Sequence, residues 1–367
     1  MIKAGGSPFI ARSTMNNDHF HACVLAGGTG ERFWPMSRVR KPKHLLKLLS
    51  DRTLLEETVR RLDGVVPRKN ILVLTSEAQL ADIRAALPGL DPSQVVAEPA
   101  RRDSGPAAAL ATGIVRARDP QAVVAVLAAD AWVRDTARFA AQLRAGLAWA
   151  ASHDELLTYG VTPTGPATGF GYLEMGGVIA RTDGGVFRRV ARFVEKPDAA
   201  TAARYVASGN HAWNASIFVW RADVFLAEAE RHAPELGAFV RDFPKGDFST
   251  YLAARFPALP RISIDYAVME KAGKVATLVA EFDWDDVGTW AALPGRLPAD
   301  AAGNTVRGPV VAVDTTNSIA ISNGRLIALC GVKDLVVVET ADAVLVCGRA
   351  RVQDLKKLQP LLPGDVL

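Results

Sequence analysis

The 367-residue chain is poor in the residues that mark secreted, membrane or disulfide-bonded proteins. It has three cysteines, Cys23, Cys330 and Cys347, all in apolar runs and none in a C-x-x-C pair. We therefore expect reduced core thiols in a cytoplasmic protein. No run approaches the ~18 continuous apolar residues of a membrane span, and the N-terminal segment lacks the apolar stretch of a secretory signal. We interpret residues 1–20 as a flexible leader.

Several catalytic motifs are also missing. The sequence contains no G-x-S-x-G and no H-E-x-x-H, and its six histidines show no metal-ligand spacing. A formal net charge of +4 over 367 residues is too small to indicate nucleic-acid binding. A reaction that only aligns two polyanionic substrates around a metal ion needs none of these features.

What the sequence does contain is an alternation of strands and helices. The predicted strands are 21–25, 70–75, 94–97 and 122–129, and the predicted helices are 53–62, 77–87, 105–117 and 139–151. This alternation predicts an α/β domain with a mostly parallel sheet and right-handed crossovers. Ligands of such sheets bind beyond the carboxyl ends of the strands. The glycine turn after Leu25 and the carboxylate of Asp130 should therefore share one rim.

The second half of the chain has a different pattern. Further strands are predicted at 156–161, 171–175, 190–197 and 215–220, with a helix at 199–208. From residue 303 onward short strands alternate with Gly, Asn and Asp, which predicts a small β-rich domain resembling a short β-helix, closed by a helix at 350–358. We therefore predict a Rossmann-like domain at 21–295 and a β-rich C-terminal domain at 303–367.

The first candidate site is the glycine turn after the first strand. Gly27, Gly28 and Gly30 leave backbone N–H groups free to bind phosphate oxygens, and Arg32 follows with a fork of donors. The spacing is neither the Rossmann nor the P-loop pattern. A tight turn beside solvated cations is the alternative, but the nearby Lys43 favours a phosphate-binding role.

Candidate metal ligands come from two distant segments. Asp130 ends a buried strand, and Asp283, Asp285 and Asp286 lie in a later segment where composition alone does not separate them. Magnesium takes one or two protein carboxylates and completes its shell with phosphates and water. A helix cap is the alternative role for Asp130.

Polar residues at another strand end suit a polar ligand. Glu195 and Lys196 are adjacent charges just before Pro197, and Asn214 lies among aromatic residues. From the pattern alone a solvent-exposed strand end is the favoured interpretation of the two charges, and a turn is an alternative role for Asn214.

Nine segments together resemble the mannose-1-phosphate guanylyltransferase family. In chain order they are LAGGTGERFWPMSR, KPKHLL, AEPARRDSGPAA, LAADAWVRD, TGFGYLEM, RFVEKP, WNASIFVW, SIDYAVMEK and FDWDDVGTW. The glycine-rich opening is shared by all sugar nucleotidyltransferases, whereas the later segments are specific to the mannose/GTP branch. The chain is similar to the short, single-function form, which lacks the phosphomannose isomerase domain of bifunctional relatives.

The resemblance implies a role for each matching residue. The nucleotide would be held by Ala26, Gly27, Gly28, Gly30, Arg32, Glu98, Ser104 and Asp130, with Glu98 near the guanine. The sugar 1-phosphate would be held by Gly171, Glu195 and Asn214, with Lys196 on its phosphate. Mg²⁺ would bind Asp130 and Asp286, and Arg32 and Lys43 would act as catalytic residues. Two neighbours differ from the family pattern, His44 where relatives commonly have Gln and Ala131 where they often have His.

The resemblance therefore implies transfer of GMP from GTP to α-D-mannose 1-phosphate, giving GDP-mannose and pyrophosphate. It implies no nucleic-acid or membrane partner, and a homodimer stays open. A nucleotidyltransferase for another base or sugar is one alternative. A non-catalytic nucleotide-sugar sensor is the other, although the presence of Lys43, Asp130 and Asp286 favours an enzyme.

Overall fold

The computed structural model describes residues 17–366. Most of the predicted leader therefore lies outside the described residues. Its last four residues are a short 3-10 turn, Asn17–His19, and Phe20, which begins the first strand.

The order of elements alternates strands and helices as far as residue 161, as predicted. The strands are β1 (Phe20–Ala26), β2 (Ile71–Ser76), β3 (Val95–Glu98), β4 (Val123–Ala128), β5 (Trp132–Val133), β6 (Leu156–Val161), β7 (Tyr172–Thr182), β8 (Gly185–Val194), β9 (His211–Arg221), β10 (Val275–Val279), β11 (Trp284–Asp285), β12 (Thr305–Arg307), β13 (Val310–Val313), β14 (Ile319–Ser322), β15 (Ile327–Cys330), β16 (Leu335–Glu339) and β17 (Val344–Gly348). The α-helices are α1 (Leu54–Arg60), α2 (Leu80–Ala86), α3 (Ser104–Arg118), α4 (Thr136–Ser152), α5 (Ala199–Ser208), α6 (Ala222–His232), α7 (Pro234–Arg241) and α8 (Ser249–Arg255).

The described residues contain a nine-stranded central sheet of order β3-β2-β1-β4-β9-β6-β10-β8-β7. The first four strands pair in parallel, and β6 pairs in parallel with β10. Only β8 and β9 run against the common direction, so the prediction of a mostly parallel sheet is confirmed. The antiparallel strands belong to the second half, where the sequence pattern is mixed.

Apolar layers cover both faces of this sheet. Alternate residues of β1 point to opposite faces, so Cys23 packs with α3 while Ala22 and Val24 pack with α1 and α4. Because β1 is buried on both faces, its sequence from Ala22 to Ala26 is a continuous apolar run, the pattern expected of a central parallel strand. At α1 the N-cap Thr53 and Glu56 form a reciprocal capping box, which fixes where the helix begins.

The C-terminal part is a short β-helix-like unit, as predicted. Strands β12, β14 and β16 pair in parallel, β13 pairs in parallel with β15, and β17 closes one edge in antiparallel fashion. The predicted final helix at 350–358 is instead a 3-10 helix, Arg349–Lys357. Its Val352 and Leu355 share one core with Phe33 and Trp34, which follow the glycine turn.

The expectation that all three thiols lie in the core is wrong for Cys330. Cys23 is buried and Cys347 is half-buried, but Cys330 is exposed. The β13–β15 pair is covered on one face only, and Cys330 lies on the uncovered face beside Val313. Among residues 17–366 no helix combines the length and the apolar character needed to cross a membrane.

Candidate active site

The glycine turn and Asp130 lie at the same edge of the sheet. They follow β1 and β4, which are adjacent parallel strands with Leu25 opposite Ala128. The later aspartate segment reaches this edge because β11 pairs with β5, placing Asp285 opposite Trp132, which follows Asp130 closely in the chain. Main-chain pairing therefore brings together segments that are far apart in the sequence.

One lysine joins the two predicted metal ligands. Lys43 Nζ donates a hydrogen bond of 2.9 Å to Asp130 Oδ2 and another to the backbone carbonyl of Asp286. We name Lys43, Asp130 and Asp286 the Lys43 cluster. Gly30 has a left-handed φ of 66°, and a methyl group there would overlap Lys43 Cβ. Glycine is therefore required for the turn to pass so close to this lysine.

The two carboxylates of the Lys43 cluster have opposite pKa shifts. Burial disfavours the charged form of Asp130, but the charge and hydrogen bond of Lys43 outweigh it and hold its pKa below the usual value. Burial raises the pKa of Asp286; Lys43 opposes this, while Asp285 and Asp130 add to it. The charge of Lys43 therefore favours the ionised form of both carboxylates, whereas burial disfavours it.

The structure separates the three aspartates of the later segment. Asp283 is exposed and pairs with Arg134 at 3.7 Å. Asp285 accepts from Arg296 Nη2 at 2.6 Å and from the backbone N–H of Val287 at 2.6 Å. Asp286 alone of the three belongs to the Lys43 cluster. A Cβ at Gly288 would lie 2.9 Å from its carboxylate, so the following turn wraps closely around this side chain.

This donor set suits a hard cation that needs few protein ligands. Two carboxylates match the one or two that magnesium takes. Within residues 17–366 no group of three or more His, Cys, Asp and Glu side chains could hold a metal ion.

Arg32 lies on the other side of the Lys43 cluster. It belongs to a short 3-10 helix, Glu31–Phe33, and its Nη1 donates to Gln353 Oε1 at 3.4 Å. It lines an open cleft of about 540 Å³ together with Asp286, Phe170 and Trp213. This cleft is large enough for a sugar phosphate, and its lining includes both arginine and aspartate side chains.

A smaller pocket lies on the opposite side of the glycine turn. Its wall includes Gly27, Gly28, Glu98 and Ser104, and its volume is about 220 Å³. Burial raises the pKa of Glu98 to about 8. The Ser104 hydroxyl accepts from the backbone N–H of Ile264 at 3.0 Å, so it keeps its own hydrogen and one lone pair for a ligand.

A second lysine-carboxylate group lies at the end of β8. Lys196 Nζ contacts Glu195 Oε1 at 2.5 Å, and the charges of both act on Asp265. We name Glu195, Lys196 and Asp265 the Lys196 cluster. A Cβ at Gly171 would lie 2.5 Å from Glu195 Oε2, and the Gly171 carbonyl accepts from the Asn214 N–H at 2.8 Å. Gly171, Glu195, Lys196 and Asn214, predicted from separate motifs, are therefore neighbours.

Asp265 is a site residue that the sequence analysis missed. It begins a π-helix, Asp265–Met269, within the family segment SIDYAVMEK, and its Oδ1 accepts from Asn214 Nδ2 at 3.1 Å. Burial, and then the charge of Glu195, raises its pKa to about 7. The available signal was an acidic residue in an otherwise apolar segment, and π-helical spacing hides which face it lies on.

His44 and Ala131, the two residues that differ from the family pattern, do not disturb the charge or the backbone beside the Lys43 cluster. His44 is buried, and burial lowers its pKa to about 4, so it adds no charge beside Lys43. The backbone around Asp130 is held by other groups: Arg61 Nη2 donates to the Ala131 carbonyl at 2.8 Å and Thr58 Oγ1 to the Ala129 carbonyl at 3.2 Å.

Family models match two parts of the chain. The model described as nucleotidyl transferase matches residues 21–300, and the model described as MannoseP isomerase/GMP-like beta-helix domain matches residues 308–359. The chain therefore belongs to the nucleotidyl transferase family of enzymes, and its relatives place it in the mannose-1-phosphate guanylyltransferase group of that family.

Relatives resemble the chain over nearly its whole length. The mannose-1-phosphate guanylyltransferase of Escherichia coli strain K12 is 36% identical over 360 residues, which are 96% of this chain and 75% of that protein. Alginate biosynthesis protein AlgA of Pseudomonas aeruginosa is 35% identical over 91% of this chain and 70% of its own length. A crystal structure from Thermus thermophilus, described as mannose-1-phosphate geranyltransferase, has 32% identity and a TM-score of 0.84, covering 94% of this chain and 99% of that one. The predicted resemblance is confirmed.

Proposed function

We propose that the protein transfers GMP from GTP to α-D-mannose 1-phosphate, giving GDP-mannose and pyrophosphate. The observation that carries the proposal is the meeting of the Lys43 cluster with the glycine turn at the carboxyl edge of the sheet, beside the Arg32 cleft. The names of the relatives support mannose 1-phosphate and a guanylyl group as the substrate class.

The two substrates occupy different sides of the glycine turn. GTP lies with its base in the Glu98 pocket, because the Glu98 carboxyl group can accept hydrogen bonds from the N–H groups of guanine. Its phosphates lie against the backbone N–H groups of Gly27 and Gly28. Mannose 1-phosphate lies near Glu195 and Asn214, with Lys196 balancing the charge of its phosphate.

The reaction is an in-line displacement that needs no general base. A phosphate oxygen of the sugar phosphate forms a bond to the α-phosphorus of GTP, and the bond to the β-phosphate oxygen breaks. A phosphomonoester has its second pKa near ~6, so the nucleophile is largely dianionic at neutral pH. Arg32 and Lys43 balance the charge of the departing pyrophosphate, and the fixed geometry of both substrates lowers the barrier.

Asp130 and Asp286 are the residues that would hold magnesium. Burial is the main cause of the raised pKa of Asp286, and the charge of Asp130 adds to it, so the two carboxylates lie near each other. When bound, the ion neutralises phosphate charge. Lys43 keeps Asp130 ionised and oriented, since it supplies both a charge and a hydrogen bond to that carboxylate. We further propose that the protein works in the cytoplasm, where its nucleotide substrate is available and free thiols such as Cys23 and Cys330 stay reduced.

Pyrophosphate release from GTP and mannose 1-phosphate, with and without magnesium, tests this proposal. We expect release only when all three components are present. A panel of other triphosphates and sugar 1-phosphates measures how strictly each partner is selected. Faster turnover with another pair would replace the proposed substrates, and nucleotide-sugar binding without turnover would contradict an enzymatic role.

A further inference from the structure

The side chain of Asn214 has little hydrogen-bonding capacity left for a substrate. An asparagine amide offers two acceptor sites on oxygen and two N–H donors. Oδ1 accepts from the backbone N–H of Ser216 at 3.2 Å and from Thr158 Oγ1 at 2.7 Å. The single hydrogen of the Thr158 hydroxyl also has the Ile217 carbonyl within reach at 3.1 Å, and the shorter distance favours Asn214. Nδ2 donates one hydrogen to Asp265 Oδ1 at 3.1 Å. A single N–H therefore remains uncommitted.

These contacts also fix which end of the amide is nitrogen. The Ser216 N–H can only donate, so the atom facing it is the amide oxygen. With the oxygen placed in this way, the atom facing Asp265 Oδ1 is the amide nitrogen, which donates. Thr158 on β6 and Asp265 on the π-helix approach Asn214 on β9 from different elements. Each of the three side chains is buried, with at most 8% of its residue surface exposed.

We infer that Thr158 and Asp265 are positioning residues, which hold the Asn214 amide so that its one free N–H is available to a hydroxyl of the sugar. This rests on the proposed function, which places mannose 1-phosphate at the Lys196 cluster. Gly171 supports the location, because its carbonyl binds the Asn214 backbone and its missing side chain leaves room for the Glu195 carboxylate. A donor held in place before binding loses little freedom when the sugar arrives.

Substitution at Thr158 tests the inference most directly. Thr158→Val keeps the shape and removes the hydroxyl, so Oδ1 loses one of its two donors and the amide gains freedom to rotate. We expect the KM for mannose 1-phosphate to rise about tenfold while the KM for GTP stays within about twofold, as expected for one misplaced hydrogen-bond donor. Thr158→Ser, which keeps the hydroxyl, should restore most of the affinity.

Asp265 provides an independent pair of variants. Asp265→Ala removes the acceptor for Asn214 Nδ2 and should produce the same selective rise in the KM for mannose 1-phosphate. Asp265→Asn retains an oxygen acceptor and should be clearly milder than Asp265→Ala. An Asp265→Asn variant as damaging as Asp265→Ala would show that charge, and not orientation of Asn214, is what matters at this position.

Thr277 is a matched control for Thr158. The two threonines lie opposite each other in the β6–β10 pair, and both are fully buried. Among the described residues, however, the Thr277 hydroxyl has no hydrogen-bond partner. Thr277→Val should therefore leave both KM values unchanged and should not lower the melting temperature, because it removes a buried hydroxyl without breaking a bond.

The outcomes separate this inference from the proposed function. A wild-type protein that releases no pyrophosphate with any sugar 1-phosphate would end the proposed function and this inference with it. An active wild type whose KM for mannose 1-phosphate is unaffected by Thr158→Val would overturn the inference alone. A Thr158→Val variant with a lowered melting temperature and equal changes in both KM values would assign these bonds to stability only.

Discussion

The Lys43 cluster and the Lys196 cluster have the same composition, one lysine and two carboxylates, but opposite exposure. In the Lys43 cluster the lysine side chain is 7% exposed and that of Asp130 is 41% exposed. In the Lys196 cluster the lysine is 55% exposed and Glu195 is 6% exposed. The first therefore presents negative charge to the site and the second presents positive charge. This difference suits a cation at one cluster and a phosphate at the other.

The largest expected effects test the carboxylates of the Lys43 cluster. Asp130→Asn and Asp286→Asn should each lower kcat by at least ~100-fold while the protein remains folded, because charge balance in the transition state is lost. The double variant should lose little beyond the worse single variant if both carboxylates act through one ion. Pyrophosphate release and circular dichroism measure these effects.

Asp283→Asn is the matched control from the same segment, since Asp283 is exposed and lies outside the cluster. It should have nearly normal turnover. A damaging Asp283→Asn with a mild Asp286→Asn would reverse our choice among the aspartates. Near-normal turnover in both Asp130→Asn and Asp286→Asn would contradict the proposal that the Lys43 cluster holds a cation.

The glycine turn beside the Lys43 cluster gives the next effect. A Cβ at Gly28 has no atom within 4 Å, so Gly28→Val should fold normally and place its side chain in the space proposed for GTP. We expect GTP binding, measured by calorimetry, to weaken roughly 50-fold, about 2.3 kcal/mol.

Gly30→Ala is the contrasting variant. Its side chain would overlap Lys43 and its φ is left-handed, so it should lower the melting temperature as well as the activity. For Gly28→Val, the contradicting outcome is a folded variant with unchanged GTP affinity, which would show that the GTP phosphates do not bind at the glycine turn.

For the Lys196 cluster the expected effect is smaller and falls on substrate binding. Glu195→Gln keeps the shape and removes one buried charge. The KM for mannose 1-phosphate should rise about tenfold, whereas the KM for GTP should change little, because the hydrogen bonds to the sugar lose their charged partner. If neither constant changes, Glu195 is a strand-end charge with no role in binding.

Glu98 is a carboxyl group of this site with no lysine beside it, and burial therefore raises its pKa without opposition. Its folded-state pKa of about 8 exceeds the reference value of 4.5, so between these values the folded protein holds a proton that the unfolded chain has released. The resulting stabilisation is present at low pH and is lost as the pH rises towards about 8. The melting temperature of wild type relative to Glu98→Gln should therefore fall between about pH 5 and about pH 8.5.

Glu77→Gln, at an exposed position after β2, is the control for Glu98→Gln, and its difference from wild type should stay constant over the same range. A constant difference for Glu98→Gln as well would mean that the carboxylate is hydrated. This is the smallest of the expected effects, because Glu98 keeps partial contact with solvent.

The sequence predicted the layout of the sheet edge better than the details at it. Buried strands have continuous apolar runs and glycine turns are local features, so the common location of Gly28 and Asp130 followed from topology. The selection of Asp286 did not, since it depends on the β5–β11 pairing and on which cation each aspartate meets. Such pairings join residues far apart in the chain and leave no local pattern.

Asp265 was not singled out from the sequence, and Cys330 was wrongly expected in the core, for related reasons. The role proposed for Asp265 depends on its contact with Asn214 of β9 and on an uncommon helical spacing, so no periodic pattern marks its buried side. The exposure of Cys330 depends on which face of a two-stranded pair the rest of the unit covers. In both cases tertiary packing determines the environment of a residue whose neighbours in sequence are apolar.

The contacts of residues 359–366, which follow the 3-10 helix Arg349–Lys357, have a consequence for biosynthesis. Trp34 Nε1 donates to the Val366 carbonyl at 2.9 Å, and Gln359 Nε2 donates to the Glu31 carbonyl at 3.3 Å, so the segment carrying Arg32 is held by residues from the far end of the described chain. A nascent chain can complete the sheet long before these residues leave the ribosome. The segment that carries Arg32 therefore gains both hydrogen bonds only after translation has passed Val366, so a chain stalled shortly before that point would lack the bond to Trp34.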